Sequence, residues 1–101
     1  MRVVWTETAL SHLTDIYEYI ARDSTRYAKR TVDRITARSR QIATHPESAA
    51  VVAEYADPTI REVIEGPYRV IYRVQPATVV VLAVIHGARL LPPEPPGESN
   101  P

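Results

Sequence analysis

Residues 66–89, GPYRVIYRVQPATVVVLAVIHGAR, decide the fold. Gly66-Pro67 is a turn dipeptide. From Tyr68 to Val74 the side chains alternate, with Tyr68, Val70, Tyr72 and Val74 on one side and Arg69, Ile71 and Arg73 on the other. That period of two predicts a strand. Pro76-Ala77 interrupts it. Thr78 to His86 is then almost wholly apolar and rich in β-branched residues, the composition of a strand inside a sheet. With Pro76 and Ala77 as a two-residue loop, Gln75 opposes Thr78, Arg73 opposes Val80, Ile71 opposes Leu82 and Arg69 opposes Val84. Directly opposed residues project to the same side. One face is therefore expected to carry Arg69, Arg73 and His86 among Ile71, Val80, Leu82 and Val84. The other holds Tyr68, Val70, Tyr72, Val74, Val79, Val81, Ala83 and Ile85, apolar but for two phenol tips, and is the expected core face. A slip of one residue would turn every side chain over.

Upstream of the turn, TIREVIE (59–65) predicts a further strand. Pairing through Gly66-Pro67 puts Ile60, Glu62 and Ile64 beside Arg69 and Arg73, with Arg61, Val63 and Glu65 on the reverse. The segment Glu47–Pro58 has no clear period and is expected as a loop, with a short piece of structure over Ala49–Val52.

The first half of the chain is helical in pattern. Arg2–Trp5 is a short strand-like opening, and Thr6 is placed to cap a helix whose first turn holds Glu7. Leu10, Leu13, Tyr17 and Ile20, widened by Ile16, predict its apolar stripe; His12, Asp15 and Glu18 fall opposite. Asp23-Ser24 ends this helix and caps a second, from about Thr25 to Ala43, with Ala28, Val32, Ile35 and Ile42 on its buried side. Arg26, Arg30, Arg34 and Arg38 recur at i,i+4. Like charges at this spacing cost roughly a few tenths of a kcal/mol per pair. The row reads either as a solvated face or as a docking strip for an acidic segment. His45-Pro46 closes the helix.

The composition bounds the function. The chain has 101 residues, 45% of them hydrophobic, enough for one domain with one core. No cysteine is present, so disulfides and thiolate metal sites are excluded. No apolar run reaches a membrane span of roughly 20 residues, and MRVVWTETAL does not read as a signal peptide; a cytoplasmic protein with no membrane association is expected. The formal net charge is zero, which argues against a general nucleic-acid coat. No pair of histidines has metal-ligand spacing, and neither metal nor cofactor is expected. The elements read β-α-α-β-β-β, an α+β layer with a helical hairpin on a small, mostly antiparallel sheet. One domain is expected over 1–91, followed by a Pro-rich, mobile tail over 92–101.

Three segments, ALSHLTDIYEYIARDS (9–24), REVIEGPYRVIYRV (61–74) and VLAVIHGARLLP (81–92), resemble the RelE/ParE superfamily of bacterial type II toxins. YRVIYRV followed by a strand ending in HGAR leans to the ParE branch. The resemblance implies the same β-α-α-β-β-β fold, and one of two actions. ParE-like members inhibit DNA gyrase and trap it on cleaved DNA; this implies a binding protein with no catalytic residues. RelE-like members cut mRNA in the ribosomal A site, which needs a base, an acid and cations for the phosphate. For that chemistry Arg69 matches the family's strand arginine and His86 lies near its C-terminal acid/base position, with Glu62 and Arg73 alongside. The neutral charge and the aliphatic setting of these groups favour the ParE reading. A protein that keeps the fold and has lost toxicity is a third possibility. All imply a partner, a ParD-like antitoxin through which alone DNA is contacted. Its acidic segment is expected along Arg26, Arg30, Arg34 and Arg38 and against Leu82 and Val84. The target, the gyrase A subunit in the ParE reading, is expected to meet Arg69, Arg73, His86 and Arg89.

Overall fold

The structure, a computed structural model, describes residues 1–96. The expected order of elements is found, with one strand added. β1 (Arg2–Trp5), α1 (Glu7–Ala21) and α2 (Thr25–Ile42) are followed by a 3-10 turn at Pro46–Ser48. Then come β2 (Ala50–Val51), β3 (Ile60–Glu65), β4 (Tyr68–Val74) and β5 (Thr78–His86). The strands form one sheet in the order β1-β5-β4-β3-β2. Only β1 runs parallel to its neighbour, Arg2 to Trp5 pairing Thr78 to Val81. The two-residue β2 is the part of Glu47–Pro58 that pairs with β3, through Ala50 with Glu62 and Val51 with Arg61.

Both helices begin on the expected caps. Ser24 Oγ accepts from the Tyr27 amide at 3.1 Å. Thr6 Oγ1 accepts from the Ala9 amide at 3.0 Å and donates to the Val81 carbonyl at 3.0 Å. One hydroxyl thereby satisfies a free helix donor and ties α1 to β5. That tie sets the rotation of α1. Ala9 is fully buried against the sheet, with Leu13 and Ile16 packed beside it. Leu10 and Tyr17, expected in the stripe, are 49% and 38% exposed. His12, expected on the polar face, is half-buried instead.

The β3–β4 register is as expected, with Ile60, Glu62 and Ile64 opposite Arg73, Ile71 and Arg69. Gly66 has a φ of 57° at the first position of the two-residue turn, where primed hairpin turns require a positive value. The β4–β5 hairpin departs from expectation half-way. Val74, Arg73 and Tyr72 oppose Val79, Val80 and Val81, as a Pro76-Ala77 loop dictates, but Ile71 then opposes Ala83. Leu82 is the extra residue of a β-bulge, and every residue beyond it points to the side opposite the one expected. Val84 joins the helix-side core with Val70, Tyr72, Val79 and Val81. Ala83 and Ile85 move to the outer side, with Val52, Ile60, Ile71 and Leu82. His86 comes to lie opposite Tyr68 rather than on the face of Arg69.

The outer side is a second small core. The loop after β2 folds back over it, bringing Val52 and Tyr55, and Leu91 packs there from the C-terminal segment. Tyr55 Oη donates to the Pro92 carbonyl at 2.9 Å and the Glu94 carbonyl at 3.3 Å. The last part of the expected tail, residues 97–101, lies outside the described residues.

Candidate functional site

On the outer face Arg69 is held by two carboxylates. Its Nε and Nη2 donate to Glu62 at 2.6 and 2.9 Å, and its Nη1 and Nη2 donate to Glu54 at 2.8 and 2.9 Å. Two bidentate contacts occupy every nitrogen of the guanidinium. The Arg69 and Glu62 side chains are 14% and 13% exposed, whereas Glu54 is 45% exposed. Hydrogen bonding to Arg69 holds the Glu54 carboxyl well below the usual range, at about 2, and raises the Arg69 pKa further above its ordinary value. Arg73 is engaged as well: Nη1 donates to Thr59 Oγ1 at 2.7 Å and lies 3.6 Å from Asp57. Asp57 in turn accepts from the Thr59 amide and hydroxyl, which lowers its pKa. Glu62, Arg69 and Arg73, candidates for one reaction centre, are thus parts of an ion-pair framework clamping the 52–59 loop to the sheet.

His86 stands apart from this cluster. Its ring meets that of Tyr68 edge-on, centroids 5.8 Å apart, on the side of the sheet that faces α1. There an open groove of about 660 Å³ runs between α1 and the ends of β4 and β5, lined by His12, Asp15, Tyr19, Tyr68, His86 and Arg89 among others. Three features build it. The bulge at Leu82 turns His86 toward it. β1 stops opposite Val81, so the outer edge of β5 beyond that point has no strand beside it. And α1 crosses that edge, where His12 Nδ1 accepts the Val84 amide proton at 3.2 Å. The His86 ring makes the matching bond, Nδ1 accepting from the Ala88 amide at 3.1 Å. A ring that accepts at Nδ1 is neutral and carries its hydrogen on Nε2. Burial lowers the His12 pKa, Asp15 opposing and Arg89 adding to the shift. At the far end of the groove the Arg22 guanidinium lies 5.7 Å from the centre of the Tyr19 ring.

The comparisons with known proteins bear on the chain as a whole. The family described as ParE toxin of type II toxin-antitoxin system, parDE, matches residues 3–91. The chain belongs to this ParE toxin family. Toxin RelE2 of Caulobacter vibrioides is 36% identical over 90 residues, covering 88% of this chain and 98% of the relative. Among solved structures, one titled chromosomal ParDE TA system from P. aeruginosa superposes with a TM-score of 0.71. It covers 85% of this chain and 95% of its own, and at 21% identity it attests the α+β fold.

In this ParE-family chain the residues singled out from sequence fall into three places. Arg69, Arg73 and Glu62 lie in the outer ion cluster. His86 and Arg89 lie at the groove. Arg26, Arg30 and Arg34 are exposed along α2 and Arg38 is half-buried at its end, donating to Gln41 at 3.1 Å. Leu82 and Val84, expected on a face open to the antitoxin, are each 3% exposed: the bulge turns Val84 into the helix-side core, and the loop after β2 covers Leu82 on the outer side. Four residues that matter were not named as site residues from sequence. Glu54 came from a stretch without period. Arg61 donates to the carbonyls of Pro58, Glu47 and Ala49 and so pins the loop on both flanks. Tyr72 donates to the Pro46 carbonyl from inside the core, burial raising its pKa to about 12. His12 was placed on the wrong side of α1; its one legible signal is a position three residues after the buried Ala9. Among the described residues no group of three or more His, Asp or Glu could hold a metal ion, and no helix is long and apolar enough to cross a membrane.

Proposed function

We propose that this toxin arrests growth by binding, with DNA gyrase as its target, and that it cleaves no RNA. One observation carries the reading: the groups that acid–base chemistry would need are committed. Arg69 spends its guanidinium on Glu54 and Glu62, and the Nδ1 lone pairs of both His12 and His86 accept backbone amide protons. A ring whose lone pair holds an amide proton is a weakened base, and an arginine with all three nitrogens on carboxylates has its charge neutralised toward a phosphate. A cognate antitoxin of the ParD kind neutralises the toxin, its acidic segment seated along the arginine row of α2, and the pair acts in the cytoplasm. The deciding experiment is a supercoiling assay. Antitoxin-free protein should stop purified gyrase and leave a translating extract at work; an extract that stops while gyrase is unaffected overturns the reading.

The name of the Caulobacter relative, Toxin RelE2, favours a second reading, ribosome-dependent mRNA cleavage by Arg69, His86, Glu62 and Arg73. Against it, the sheet separates His86 from Arg69. Cleaved mRNA in the extract, lost in His86→Ala, would establish it.

A further inference from the structure

The groove between α1 and β5 is donor-rich for its size. With both Nδ1 atoms taken, the Nε2–H groups of His12 and His86 are fixed hydrogen-bond donors. Among the described residues no buried side-chain nitrogen or oxygen lacks a partner, so the Nε2 of the half-buried His12 reaches solvent. Arg89 is exposed, and among the described residues its guanidinium has no ion-pair partner. Tyr19 is 70% exposed, and the Tyr68 ring closes the groove's floor against His86. Tyr and Arg around a concave site are the composition of interface hot spots. Asp15 and Glu18 lie on the helical wall of the same groove.

We propose that this groove is the surface by which the toxin engages its target, and that the target presents a carboxylate-bearing protein segment to His12, His86 and Arg89. The mixed charge chooses between the possible occupants. A nucleic-acid backbone brings negative charge at every step and would be repelled by Asp15 and Glu18 in a chain of zero net charge. A protein segment matches both signs at once. No residue of α2 lines the groove, so this contact is separate from the arginine row assigned to the antitoxin. The proposal rests on the reading of the chain as a gyrase inhibitor.

The test is the double variant His86→Ala, Arg89→Ala, since both side chains are exposed and their loss leaves the core intact. Purified gyrase is the probe, read by supercoiling inhibition and by direct binding with and without plasmid. Antitoxin affinity and the thermal midpoint serve as controls. Expected is a fall of about tenfold or more in inhibition and in binding, the scale of one lost hot spot, with both controls unchanged. A double variant as inhibitory as the wild type overturns the inference alone. A wild type without effect on gyrase overturns the reading and the inference with it. Binding of a DNA duplex in the absence of gyrase, lost in the double variant, would assign the groove to phosphate instead.

Discussion

Arg69 is the side chain whose role is hardest to read from sequence, because an exposed-looking arginine on a strand is here tied to two carboxylates. Truncating it leaves Glu62 largely buried with no counter-charge and frees Glu54. Breaking a buried pair from one side costs about 3 kcal/mol, to which the solvent-exposed Glu54 arm adds little. Arg69→Ala should therefore lower the unfolding free energy by that amount, read as a fall in the urea midpoint at unchanged slope, and lost toxicity in this variant would report folding rather than chemistry. An unchanged midpoint would leave Arg69 free for another role. The same cluster adds a small term to acid stability. Glu54 titrates at about 2 in the folded chain, whereas an unfolded glutamate titrates at about 4.3. The unfolded chain thus takes up its proton first, and the stabilisation is complete above about pH 4.3 and lost as pH falls toward 2. Thermal melts between pH 2 and 6 should show this loss in the wild type and a shallower one in Glu54→Gln. Of the cluster, Glu62 was legible because β-pairing places it beside Arg69. Glu54 was not, because a loop residue fifteen positions away has no periodicity to fix where it points.

At the scale of elements, the junction of α1 with β5 is the structural decision of the chain. Thr6 bonds the Val81 and Leu82 carbonyls at 3.0 and 3.3 Å, and His12 caps the next free amide at Val84. An edge strand that would offer itself to other chains is thereby closed by a helix. The latch works only with a neutral imidazole, since a protonated ring has no acceptor. The folded pKa of His12 is lowered from the usual 6.5, so the unfolded chain protonates first and stability declines as pH drops below about 6.5. His12→Ala should lose about 1–2 kcal/mol through the unsatisfied Val84 amide, and lose the decline between pH 7 and 5. Calorimetry at those two values decides it. An equal decline in the variant would place the titrating group elsewhere. Hairpin, helix and cap positions were readable because each follows from periodicity, turn residues or a hydroxyl before a helix. The bulge was not. VVVLAVI is apolar on both sides, so no polar residue shows where the alternation slips, and the slip is fixed by Thr6, 76 positions away. That hidden residue moved His86 from the face of Arg69 to the groove.

The zero net charge of the molecule hides an uneven distribution. On the outer face, positive and negative groups are consumed in each other. In the groove they alternate. Along α2 the cations Arg26, Arg30 and Arg34 face solvent, and among the described residues the ion pair of this helix is Lys29 with Asp33 at 2.7 Å. The fold gains nothing from that row, which opposes the helix it decorates. Replacing Arg30, Arg34 and Arg38 by Glu exchanges one like-charge row for another and should change the unfolding free energy by about 0.5 kcal/mol or less at each of the exposed Arg30 and Arg34, with the loss of the half-buried Arg38 bond to Gln41 added. Binding of the cognate antitoxin is expected to behave differently. If its acidic segment lies on the row, each reversal replaces an attraction by a repulsion, and affinity at low salt should fall about tenfold or more. The salt dependence should also change sign, because screening now weakens a repulsion. Titrating wild type and triple variant with antitoxin at two ionic strengths separates the cases: parallel curves of equal affinity would return the row to solvent.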